Sequence, residues 1–152
     1  MSRRFGSRAE AMQARMAQFA ASFGVKDMKH PARLPNTRRA LAVAELARDR
    51  GLFDAYRDSA MRAHWRDGMD LEKDEDLAEV ARRAGLDAGE ALAATRDPRY
   101  LERIDRIREE ASEIGVTGIP TFIFADRIAV VGCQPFPVLA KAAEEADARR
   151  RS

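Results

Sequence analysis

Gly115-Val116-Thr117-Gly118-Ile119-Pro120-Thr121-Phe122-Ile123-Phe124, followed after Ala125-Asp126-Arg127 by Ile128-Ala129-Val130-Val131-Gly132, decides the fold of this chain. Residues 121–124 are β-branched or aromatic, and residues 128–131 are β-branched except at Ala129. Gly-Ile-Pro bounds the pair on one side and Gly-Cys-Gln-Pro on the other. Two such runs around a short polar turn predict a β-hairpin. They are the one firm strand signal in a sequence that otherwise reads as helix. An isolated hairpin is marginal in water, so helices must cover it or further strands must pair with it.

Working outward, apolar residues recur at helical spacing on both sides. Residues 7–23 predict a helix with Ser7 as N-cap and Glu10 completing a capping box. Its apolar stripe, Met12, Met16, Phe19 and Phe23, is expected to be core, and Gly24 to end it. Residues 25–34 read as a connector. Asn36 or Thr37 caps the next helix, whose Ala40, Leu41, Ala44 and Ala47 form a small-residue face. Residues 52–65 predict a helix with Leu52, Phe53, Tyr56, Ala60, Met61 and His64 along one side, His64 being a hydrogen-bonded structural histidine. Helices over 73–84, 88–95 and 99–114 follow. The last carries Leu101, Ile104, Ile107, Ala111 and Ile114 as its stripe and stops at Gly115. After the hairpin, Pro135-Phe136-Pro137 opens a final helix with Val138, Leu139, Ala142, Ala143 and Ala146 inward. The fold class is therefore mainly α with a small β-hairpin. Four segments result: residues 1–35 as N-terminal helix and connector, 36–114 as a helical block, 115–148 as hairpin and helix, and 149–152 as a basic tail.

The 152 residues suffice for a real core, and the net charge is only +2. The arginines at 3–4 and 149–151 read as solvated ends. No apolar run approaches the roughly 20 residues of a membrane span. No signal peptide is read before the first helix, so a cytoplasmic location is expected. One cysteine, Cys133, excludes an intrachain disulfide and a Cys-x-x-Cys pair. With only His30 and His64 beside it, a Cys/His zinc site of ordinary spacing is excluded too. Cys133 reads as a small buried or half-buried residue, and no cofactor is expected.

Helix, Gly-Val-Thr-Gly-Ile-Pro-Thr-Phe-Ile-Phe, turn, strand, Gly-Cys-Gln-Pro, helix: this order resembles the C-terminal half of a DsbA-like thioredoxin domain. Leu34-Pro35-Asn36-Thr37 before an alanine-rich helix resembles the start of the helical insertion in the FrnE-like and 2-hydroxychromene-2-carboxylate isomerase-like branch. The resemblance implies a thioredoxin-like α/β fold with residues 36–114 as its insertion domain, and kinship to thiol-disulfide oxidoreductases. It implies a cis Ile119–Pro120 bond, with the backbone at Ile119 and Pro120 offered to an extended peptide, a protein thiol or glutathione as an added strand. It also places Asn36 and Gln134 near the ligand. The family pattern begins with a strand and a Cys-x-x-Cys unit, or a serine in the isomerases, that this sequence lacks. The resemblance thus implies a truncated or inactive member with an exposed sheet edge, open to a second copy or a separate partner.

A second reading competes. Residues 76–92 scan as helix-turn-helix with Gly85 in the turn. Asp87, Ala88, Gly89 and Glu90 then stand where bases and phosphates would be met, which argues against nucleic acid, as does the balanced charge. A purely structural helical subunit is the third.

Overall fold

The computed structural model describes residues 3–29 and 35–146. His30, Leu34 and the arginines at 149–151 lie outside them. The order is α1 (Arg3–Ser22), α2 (Arg38–Asp49), α3 (Phe53–Arg62) running into a π-helical turn (Ala63–Asp67), α4 (Asp74–Arg83), α5 (Ala88–Ala94), α6 (Pro98–Glu113), β1 (Thr121–Phe124), β2 (Ile128–Val131) and α7 (Phe136–Glu145). The chain divides into two units between Ile104 and Asp105, within α6.

Carboxylates and prolines at the helix starts set the local structure of the first unit. Asp74, Glu75 and Asp76 occupy the first turn of α4, and Arg82 and Arg83 its last, each suiting the helix dipole. The Asp87 side chain accepts the Glu90 amide at 2.7 Å to cap α5. Asp97 accepts the Arg99 amide at 2.9 Å, with Pro98 as the first residue of α6. The helices α2 to α5 close on one core in which Val43, Leu46, Leu77 and Val80 are the largest fully buried side chains. Alanines at 42, 47, 63, 81 and 91 are buried with them and let the helices approach closely. Tyr56 crosses this core and donates its hydroxyl to the Ala40 carbonyl at 3.0 Å.

Several expectations are corrected here. Helix α1 already runs from Arg3, so Ser7 lies inside it rather than at its start; the Ser7, Glu10 and Met12 side chains lie outside what is described. Met16, Phe19 and Phe23 are exposed rather than core, Phe23 to 69%. Phe19 and Phe23 instead stack edge to face at 5.1 Å. Leu41, Met61, Ile107, Ile114 and Val138 are also exposed. Helical spacing identifies an apolar face, but burial needs a neighbour to lie on it. His64 is not hydrogen-bonded as expected: its Nδ1 is buried without a partner among the described residues, and its ring meets Trp65 edge-on at 4.6 Å.

In the second unit β1 and β2 form a two-stranded antiparallel sheet, pairing Thr121 with Val131, Phe122 with Val130, Ile123 with Ala129 and Phe124 with Ile128. Ala125 and Asp126 take φ of +47° and +55° in the turn. Two successive left-handed residues suit the right-handed twist of a hairpin, but neither residue here is the asparagine or glycine that adopts them readily. Replacing them together, Ala125→Asn with Asp126→Gly, is expected to stabilise the hairpin by about 1 kcal/mol. The measurement is slower amide exchange of Phe122 and Val130, with the rest of the chain unchanged.

Candidate functional site

The hairpin is approached through a defined helix end. Gly115 at φ +77° lets α6 close as its own amide bonds Ser112 O at 3.0 Å and the Val116 amide bonds Ala111 O at 2.8 Å. This paired closure needs a left-handed residue, which glycine supplies without cost. The chain then runs to the Ile119–Pro120 bond, which is cis. Two bonds hold the loop there. The Thr121 hydroxyl donates to Gly118 O at 2.5 Å, and the Gly132 amide donates to Pro120 O at 2.7 Å. Gly132 is again left-handed, at φ +86°. It ties the exit of β2 to the entry of β1.

Within this frame the Ile119 side chain is 91% exposed. An isoleucine held this far into solvent by a braced loop is a feature the core does not need. Phe136, at the start of α7, is 79% exposed. Gln134 donates through Nε2 to Val131 O at 3.1 Å. Cys133, beside it, is exposed rather than buried as expected. On the opposite flank Ile128, Val130, Val138 and Ala142 line a shallow apolar groove between β2 and α7.

Of the four residues singled out in the sequence, Ile119, Pro120 and Gln134 meet at this mouth of the hairpin. Asn36 belongs to the first unit. There its Oδ1 accepts the Arg38 amide at 3.0 Å and its own amide bonds the Glu72 carboxylate. The cap of α2 is therefore Asn36, since Thr37 makes no side-chain capping bond. The bracing role of Thr121 was missed. A threonine three residues after Gly118 at the start of a strand is the signal that could have found it.

The supposed reading helix of a DNA-binding motif, α5, buries Ala91 and Ala94. Its Glu90 is held by Arg50. Among the described residues no cluster of three or more His, Cys, Asp or Glu could hold a metal ion, and no helix is long and apolar enough to cross a membrane.

A mainly helical chain with one hairpin, its loop braced between the ends of both strands, is the C-terminal architecture of a thioredoxin-like fold. The family model for the DSBA-like thioredoxin domain matches residues 2–144, so the chain belongs to that family. Among solved structures it is similar to a probable DsbA oxidoreductase from Streptomyces coelicolor, at 30% identity and a TM-score of 0.82. That match covers 96% of this chain and 63% of the solved one. No curated protein matches.

Proposed function

We propose that the chain is a recognition module of the thiol-disulfide oxidoreductase kin, binding an extended peptide, a protein thiol or glutathione at the loop from Gly118 to Thr121. The observation that carries this reading is Ile119, exposed to 91% on a loop braced at both ends. Its backbone and that of Pro120 are the contact, with Phe136 and Gln134 at the rim. Asn36, which also holds the start of the helical block of residues 36–114, is the fourth ligand residue of this reading, on the resemblance to the FrnE-like and isomerase-like branch.

Dithiol exchange needs an attacking thiolate and a resolving partner. One cysteine in 152 residues supplies no resolving partner, so this chain alone does not turn over disulfides. A lone exposed thiol also suits a reducing compartment such as the cytoplasm.

Two measurements test the reading. Turnover of a scrambled disulfide substrate should stay at background, with or without Cys133→Ala; robust turnover abolished by that substitution would place the chemistry at Cys133. Titration with glutathione or a cysteine-containing peptide should shift the backbone resonances of Gly118 and Ile119, and Ile119→Gly should weaken binding. Shifts confined to α2 to α5 would sink the proposal.

A further inference from the structure

Lys29 closes the π-helical turn that follows α3. Its amide donates to Trp65 O at 2.6 Å and its Nζ to Asp67 O at 3.1 Å. Both acceptors are carbonyls at a helix end, where no partner exists within the helix. Gly68 follows at φ +75°, and a cation at that end suits the helix dipole. The Arg66 guanidinium meets the Asp27 carboxylate at 3.3 Å. These contacts latch residues 25–29 across the turn, and a groove of about 460 Å³ runs between that segment and α3. Val25, Met28, Met61 and Trp65 give it apolar walls. Its charged groups are Arg62, Arg66 and Asp58. Arg57 matches Asp58 at 3.0 Å, and Asp27 matches Arg66. Arg62 has no partner among the described residues.

We infer that this groove binds a medium-chain acyl carboxylate, its alkyl chain along Met28, Met61 and Trp65 and its head on Arg62. The occupant follows from the lining. Apolar walls call for an apolar body, and the one uncompensated guanidinium beside them calls for a planar anionic head, which it holds through two parallel hydrogen bonds. Asp58, at the same groove, opposes a second negative charge, so the head is a carboxylate rather than a phosphate. Methionine is unbranched and adapts its shape, which suits a flexible chain better than a rigid ring. Every wall belongs to the first unit, so the inference stands or falls apart from the reading of the loop at Ile119.

Trp65 is the one tryptophan of the chain and lines the groove, so its emission reads occupancy. Decanoate titrated into the whole chain, below the concentration at which it forms micelles, should shift that emission and saturate. From hexanoate through octanoate to decanoate, Kd should tighten about twofold to fourfold for each added methylene, fourfold being the worth of a fully buried one. Decyltrimethylammonium, equal in chain and opposite in charge, should bind about tenfold more weakly or worse. Arg62→Gln should loosen decanoate about tenfold, the worth of a charged hydrogen bond. Arg62 is exposed, so this variant should keep the urea midpoint of the parent. Should it not, Met61→Glu, which sets a carboxylate into the groove at another exposed position, must abolish decanoate binding instead. Equal binding of the ammonium, no gain with chain length, or unchanged affinity in Arg62→Gln would each overturn the inference. So would an emission change seen only with phosphatidylglycerol vesicles, which would make the groove's partner a membrane surface rather than a free acyl anion.

Discussion

Leu77→Ala is expected to lower the stability of the first unit by about 3 kcal/mol, within the range of roughly 2 to 5 seen for buried leucines. Leu77 is fully buried in the core shared by α2, α3, α4 and α5. Its neighbours include many alanines, which have no spare side chain to swing into the gap. The cavity should therefore persist, and the cost should exceed the transfer energy alone. Leu46→Ala, also buried in that core, should behave alike. Urea unfolding followed at Trp65, which lies in this unit, reads the loss. Amide protection of Phe122 and Val130 in the second unit should be unchanged if the two units unfold separately. A cost below about 1 kcal/mol would mean that the helices collapse onto the gap and that the core is less well packed than described.

The second large effect is set by pH. Burial pushes the Tyr56 phenol well above its ordinary value, the neutral form being the one the core tolerates. The folded-state pKa is raised above the unfolded one, so this contribution is fully present below about pH 10, the value of a free tyrosine. It is lost as pH climbs from there toward the folded value, because the unfolded chain releases a proton that the folded chain keeps. Stability of the first unit should fall by up to about 1.4 kcal/mol for each pH unit above pH 10. Tyr56→Phe should cost roughly 1 kcal/mol at neutral pH through loss of the bond to Ala40 O, and should flatten the alkaline decline. The measurement is a set of urea midpoints between pH 7 and alkaline pH for both chains. An equal decline in the phenylalanine variant would assign the effect to other groups.

The charged surface should matter less. Arg103 holds Asp49 at 2.7 Å and, by that bond, keeps its carboxyl below the usual range. Both groups are partly open to water, where such pairs are screened and contribute little. Loss of this pair should change stability far less than loss of Leu77.

The order of elements was legible because it is written locally. The β-branched and aromatic runs at 121–124 and 128–131, with a glycine and a proline at their bounds, admit few conformations other than a hairpin. Gly24, Gly51 and Gly115 all fall where helices end, each left-handed. The family resemblance was legible for the same reason, since it rests on contiguous residues around Pro120. The candidate loop was likewise readable, but not what braces it. The bond from Gly132 to Pro120 joins residues that only the register of the sheet brings together.

What the chain order could not decide is which apolar faces are covered. The stripes of α1 and of α6 near its C-terminal end have the same spacing as those of α2 and α4, yet Phe23 and Ile114 stand in water while Leu46 and Leu77 do not. Periodicity is a property of one helix, whereas burial is a property of two surfaces in contact. So the sequence by itself determined the elements, their order and the place of the cis-proline loop. The tertiary structure alone decided that Ile119 projects and that Gln134 turns back onto Val131, because each depends on hydrogen bonds and packing between residues whose neighbours are set by folding.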